Sequence, residues 1–160
     1  MNAAASTSLP PLSRPPHYRM LGGDAGVTRL VEAFYRHMDT RPDARGIRAM
    51  HEPDLSSTRA VLVLYLREWL GGPKDYLAQR GHPRLRMRHA GFAIGEAERD
   101  AWLACMRAAL IEVGAGEALQ AELMAAFFKT ADWMRNTATL AGASAPPASV
   151  PVSITTKDSP

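Results

Sequence analysis

Apolar side chains recur along this chain at the helical period in long stretches, and no segment alternates as a half-buried strand does. Val27, Leu30, Val31, Phe34, Tyr35 and Met38 mark one amphipathic helix. It follows the turn Gly22-Gly23-Asp24, with Asp24 the expected N-cap, and ends before Pro42. Ile47 to Met50 reads as a short piece, and His51-Glu52-Pro53-Asp54 as a loop. Ser56 or Ser57 is expected to cap the next helix, in which Val61 to Leu66 are apolar on every side. That pattern predicts a helix sandwiched by its neighbours, stopped at Gly71-Gly72-Pro73. Gly95 and Glu96 open a further helix with the face Trp102, Cys105, Met106, Ala109, Leu110 and Val113. Gly114 and Gly116 break it, and Leu119, Leu123, Ala126, Phe127, Thr130 and Met134 form the face of the last. The fold class predicted is all-α, with a loose, charged middle between Gly72 and Gly95.

The two ends carry no such pattern. Residues 1–16 and 137–160 are rich in Ala, Ser and Pro, and bury too little to offset ordering, so disordered tails are expected around a folded domain of 17–136. The net charge of +3 and the pI near 9.3 are mild, because basic residues alternate with acids over most of the chain. Arg80, Arg84, Arg86 and Arg88 lack interleaved aromatics or a recognition motif, so a nucleic-acid partner is not expected. The single Cys105 excludes an internal disulfide and suits a reducing compartment. No apolar run approaches the roughly 18–20 residues that span a bilayer, and the start is unlike a secretory signal. A cytoplasmic protein without a membrane partner is the expectation.

The candidate chemistry sits in the loose middle, at His89 among arginines. A metal ligand, a haem ligand and a capping or surface histidine are all compatible with that position. Zinc spacing is missing, since His82 and His89 are seven apart and Cys105 is remote. A cysteine on an apolar helical face is more often a small hydrophobe than a nucleophile. A lone histidine beside a cleft between apolar helices is also how a haem's proximal ligand is presented.

Taken together, the motifs resemble those of the group II truncated haemoglobins. The matching residues, in order, are Gly22-Gly23, Phe34-Tyr35, Asp54-Leu55, Trp69 to Pro73, Tyr76, Gly81 to His89, Phe92, Ile94, Glu98-Arg99 and Ala101-Trp102-Leu103. A tryptophan thirteen residues after the histidine strengthens the match. The resemblance implies a two-over-two helical sandwich around haem b, with His89 as the metal ligand. It implies a distal ligand-binding group of Tyr35, His51, Thr58, Leu62 and Trp102. The remaining haem pocket would be Tyr65, Leu66, Tyr76, Leu85, Arg86, Arg88, Phe92 and Ile94, with Tyr76, Arg88 and then Arg86 facing the propionates. Gly91 departs from the family, where proline is common before the phenylalanine. His51 stands where relatives carry an aromatic residue.

The implied function is reversible binding of oxygen and other diatomics (NO, CO), held by hydrogen bonds from the tyrosine and tryptophan. Several donors imply slow release, which suits redox chemistry such as NO oxidation or peroxide handling better than oxygen transport. An electron-donating reductase would then be a partner, and the chain a monomer or homodimer. The alternatives are a peroxidase-like haem enzyme with His51 as proton shuttle, and a ligand-responsive interaction protein using the tails.

Overall fold

The computed structural model describes residues 14–137. Among these, eight α-helices and one 3₁₀ turn follow one another: α1 (His17–Met20), α2 (Gly23–Thr40), the turn (Pro42–Ala44), α3 (Arg45–Ala49), α4 (Ser56–Trp69), α5 (Asp75–Arg80), α6 (Leu85–His89), α7 (Glu96–Glu112) and α8 (Glu117–Trp133). No strand occurs among the described residues. The tails 1–13 and 138–160 lie outside them. Arg14, part of the predicted arm, is described: its guanidinium donates to Glu122 on α8 at 2.6 and 2.8 Å, and His17 Nε2 lies 3.0 Å from the same carboxylate.

The long helices arise where the periodicity places them, and their apolar faces meet in one core. α2 packs against both α4 and α7, and α7 packs against α8, so two helix pairs stack two over two. Val27, Leu30, Val31, Phe34 and Met38 from α2 interlock with Cys105, Met106, Ala109 and Leu110 from α7 and with Leu123 and Phe127 from α8. Each such side chain contributes about 1.5–3 kcal/mol by leaving water. Burial pushes the Cys105 thiol up to about 11, so it stays neutral and serves as packing.

Three expectations are corrected. Asp24 is not the N-cap of α2; Gly22 holds that position with φ 96°, a conformation that favours glycine. Asp24 instead lies in the first turn, where it accepts from the Tyr18 hydroxyl at 2.6 Å and pairs with Arg67 of α4. Neither Ser56 nor Ser57 caps α4; Leu55 holds the N-cap, and the Asp54 carboxylate accepts from both the backbone N–H and the hydroxyl of Ser56. That sharing keeps the Asp54 carboxyl below its usual pKa. The third correction concerns α4 itself. Of its apolar run only Leu66 is fully buried, while Val61, Leu62, Val63, Leu64 and Tyr65 are half-exposed. One side of α4 meets α2 and its end meets α5, and the described residues cover the rest only in part. A helix apolar all round is predicted to be enclosed, so its open side is the first structural sign of a pocket.

The loose middle contains two short helices, α5 and α6, rather than continuous loop. Their connection turns at Arg84, which has φ 45° and is the one non-glycine among the described residues with positive φ.

Candidate functional site

The segment that carries His89 follows α5, the short helix that packs against α4. α6 is five residues long and holds no buried residue, so it presents His89 half-exposed at its last position. The ring's Nδ1 lies 2.7 Å from the Leu85 carbonyl oxygen. A carbonyl only accepts, so Nδ1 carries the proton and Nε2 is left with a free lone pair. This is the tautomer that a metal ligand needs, with its orientation fixed by a backbone partner.

The other expected residues with polar tips are carried mainly by α2, α4 and α7. Tyr35 is 3 % exposed, yet its hydroxyl has no hydrogen-bond partner among the described residues. Burial pushes its pKa up to about 12, against an opposing pull from Arg59. Tyr65 on α4 is likewise pushed up to about 12, first by burial and then by Tyr76, whose ring meets it edge-on at 5.6 Å. These hydroxyls therefore remain protonated, as donors, throughout the physiological range. Tyr76 is 2 % exposed, and neither its hydroxyl nor the Trp102 indole N–H finds a protein acceptor among the described residues. The Tyr35 and Tyr76 hydroxyls and the Trp102 indole N–H are thus available to a ligand with acceptor atoms.

Aromatic packing fixes the direction of these groups. The Phe34 ring lies 5.0 Å from Tyr35 and 5.2 Å from Trp102, edge-on to the first and tilted to the second. Phe127 supports Trp102 from α8 at 5.5 Å and stacks on Trp69 at 4.6 Å. His51, half-buried, sits with its ring 5.9 Å from that of Tyr35. Its Nδ1 donates to the Ile47 carbonyl oxygen at 2.8 Å, which leaves Nε2 free, as in His89.

The remaining expected residues divide. Thr58, Leu62, Leu85 and Ile94 are half-buried, and Phe92 is 41 % exposed, although it is large and apolar. Leu66 is buried at 1 % exposure. Arg86 lies over the Trp133 ring at 5.5 Å, and Arg88 Nε donates to the Pro83 carbonyl oxygen at 2.9 Å. Neither forms an ion pair among the described residues, so both remain able to meet an anionic group by a side-chain rotation. Trp69 and Phe127 were not foreseen as supports for the pocket. For Trp69 the signal was present in the run Trp69-Leu70-Gly71-Gly72-Pro73, where the glycines drew attention.

The donor set suits a flat, largely apolar group with a metal at its centre and acids at one edge. It comprises an imidazole lone pair, hydroxyl and indole donors, and two arginines without an ion-pair partner among the described residues. A haem fits that description.

The comparisons with known proteins agree. Residues 17–136 match the family model described as bacterial-like globin. The chain is 37 % identical over 92 residues to the group 2 truncated haemoglobin YjbI of Bacillus subtilis, covering 58 % of this chain and 67 % of that protein. It is similar to the group II 2-on-2 haemoglobin of Agrobacterium tumefaciens at 42 % identity and a TM-score of 0.74, over 78 % of this chain and 96 % of the other. The cold-adapted truncated haemoglobin of Pseudoalteromonas haloplanktis TAC125 aligns at 35 % identity and a TM-score of 0.75, over 78 % of this chain and all (100 %) of the other. The sequence motifs, the two-over-two helices and these matches lead to one conclusion: the chain belongs to the bacterial-like globin family, as a group II truncated haemoglobin.

Proposed function

We propose that this globin holds haem b through His89 and binds oxygen and other diatomic ligands on the opposite face, where Tyr35 and Trp102 donate to them. One observation supports the reading: His89 Nδ1 is engaged by the Leu85 carbonyl oxygen, which leaves Nε2 free to ligate a metal, while the Tyr35 hydroxyl and Trp102 indole N–H have no hydrogen-bond partner among the described residues. When bound, haem supplies an iron that takes up diatomic gases reversibly. The chain supplies the rest. Tyr35 is held by Phe34, stays protonated, and has its hydroxyl free to donate. Trp102 is donor-only and stabilises an acceptor but not a competing donor. Leu62 provides apolar wall, and Thr58 a small side chain at its edge. Tyr76, Arg88 and Arg86 meet the propionates.

The test is reconstitution with haem followed by absorption spectra of the ferric, ferrous and ferrous-CO forms. Haem uptake with the bands of a histidine-ligated globin is the expected result, and failure to take up haem sinks the proposal. A second measurement addresses the donors. Tyr35→Phe removes one hydrogen bond and leaves the ring packing, so the oxygen dissociation rate should rise about tenfold, the equivalent of about 1.4 kcal/mol. An unchanged rate would mean that the hydroxyl does not touch the ligand.

Slow release favours redox use of the bound gas, NO oxidation among the candidates, over oxygen transport. Such use requires an electron-donating reductase. A peroxidase-like role is less well supported, because the partner of His89 Nδ1 is a backbone carbonyl rather than a carboxylate that would enrich the ligand. No helix among the described residues is long and apolar enough to cross a membrane. We place this globin in the cytoplasm, as a monomer or homodimer.

A further inference from the structure

α6, which carries His89, is the least anchored helix in the fold. Five residues are too few for a helix to persist without support. It buries none of its side chains, and it packs extensively against no other helix among the described residues. Its N-terminal end is tied locally, by Arg84 N–H donating to His82 Nδ1 at 3.2 Å and by Arg88 Nε donating to the Pro83 carbonyl oxygen. Neither bond reaches another part of the chain.

The C-terminal end is tied differently. Asn136, just beyond α8, spans the segment that follows His89. Its Nδ2 donates to the Phe92 carbonyl oxygen at 2.7 Å and to the His89 carbonyl oxygen at 3.3 Å. Its Oδ1 accepts from Ile94 N–H at 2.9 Å. The partners dictate which end of the amide is which, since two carbonyls need a donor and an N–H needs an acceptor. Its own backbone N–H donates to the Ile94 carbonyl oxygen at 2.9 Å, and Thr137 N–H joins it at 3.2 Å. Asn136 is in turn fixed from behind. Met134 is 9 % exposed, and Asp132 accepts from both Arg99 of α7 (2.6 Å) and Arg135 (3.1 Å). That sharing lowers the pKa of the Asp132 carboxyl, so the cluster is intact at neutral pH. An asparagine 47 positions downstream thus supplies the long-range hydrogen bond to the backbone of the histidine itself.

We propose that Asn136 is a positioning residue for the proximal histidine: it couples the end of α8 to the His89–Ile94 segment and so sets where the His89 ring stands relative to the haem. The proposal rests on His89 being the haem ligand. Asn136 touches neither the haem nor its ligand; it acts through the His89 main chain. Besides Arg86 lying over the Trp133 ring, α6 has few other contacts to hold its register. Removing the amide therefore frees the histidine to shift along the pocket, while the core of α2, α7 and α8 is untouched. Gly91 adds to the dependence, because nothing lies within 4 Å of where its Cβ would be and the segment gains no stiffness there.

The experiment compares the wild type with Asn136→Ala, Asn136→Asp and Gln120→Ala. Asn136→Asp keeps an acceptor for Ile94 N–H but offers two carbonyls no donor, so it separates the His89 bond from the Ile94 bond. Gln120→Ala removes a hydrogen bond of 2.6 Å to the Ala115 carbonyl at the α7–α8 turn, and so controls for general destabilisation. The readouts are the iron–histidine stretching band of the unligated ferrous protein and the rate of haem transfer to an apoglobin scavenger. Amide hydrogen exchange across 89–94 in the haem-free chain is the third. Both Asn136 variants should shift or broaden the band and release haem about tenfold faster, the factor equivalent to one lost net hydrogen bond. Exchange across 89–94 should accelerate in both, and Gln120→Ala should leave band and release unchanged. Wild-type band and release in Asn136→Ala would overturn the proposal, as would an equal band shift in Gln120→Ala. A wild type without an iron–histidine band would instead overturn the haem ligation proposed above. Unaccelerated exchange in the haem-free Asn136→Ala chain overturns the latch itself.

Discussion

His89→Ala is expected to lose stable haem ligation altogether. Loss of a partner that merely orients a metal ligand costs about 10–100-fold in affinity. Loss of the ligand itself should exceed that, so haem binding in His89→Ala should weaken more than about a hundredfold. The fold should survive. His89 is half-exposed, and its side chain makes one hydrogen bond, to its own helix, so the haem-free melting temperature should move by no more than about 1 kcal/mol of stability implies. Haem titration and haem-free melting of the two proteins separate these effects. Added imidazole provides a further check, because His89→Gly leaves a space that the free base can enter, and restored bands would assign the lost function to ligation. One complication is built into the site. His51 also has its Nδ1 occupied by a carbonyl and its Nε2 free, with its ring beside that of Tyr35. Residual haem in His89→Ala that disappears in His51→Ala/His89→Ala would identify His51 as the substitute. Unaltered haem bands in the double variant would remove His89 from the site.

How much of this was legible in the sequence depends on what each position reports. The long helices were readable because Val27 to Met38 and Trp102 to Val113 repeat at the helical period and pack on that same face. The apolar run Val61 to Leu66 was read as a helix, but its surroundings were misjudged. Hydrophobicity on every side shows that water is excluded, and it does not distinguish protein from a cofactor as the excluding partner. Tyr35 and Trp102 were placed by motif. Their lack of hydrogen-bond partners, which makes them chemically available, is a property of three-dimensional neighbours and has no sequence signal. Caps failed for a related reason: Asp24, Ser56 and Ser57 are all good capping types, and the choice depended on Tyr18, Arg67 and Asp54 being nearby. Asn136 was the least legible. A polar residue between a helix and an Ala-rich tail reads as a chain terminus until its 2.7 Å bond to the Phe92 carbonyl oxygen is seen.

Glycines give the sharpest case of the same limit, and the second large effect. Gly26→Ala should be among the most destabilising single methyl additions in the chain, because its Cβ would lie 1.7 Å from the Leu21 carbonyl oxygen and 2.5 Å from that carbonyl carbon. Both atoms are backbone at the α1–α2 corner, so no side chain can rotate away. The corner itself must open, which disturbs Leu21 and Val27 in the core. Overpacking typically costs about 1–3 kcal/mol and occasionally more. A backbone clash belongs at the upper end, so a loss of about 3 kcal/mol is expected, on the order of a 10 °C fall in melting temperature for a domain of this size. Gly46→Ala offers the opposite case. Gly46 lies inside α3 with nothing within 4 Å of its missing Cβ. Alanine there restricts the unfolded chain without a clash, and should be neutral or stabilising by up to about 1 kcal/mol. In the sequence these are two glycines in polar, helix-compatible settings, and neither belongs to the conspicuous Gly22-Gly23 pair. Thermal denaturation of the two variants beside the wild type checks both signs. A Gly26→Ala protein that melts with the wild type would mean that α1 does not pack on α2 at this distance. The α1–α2 corner would then have to be redrawn, together with the Tyr18 N–H bond to the Leu70 carbonyl oxygen that ties it to the end of α4.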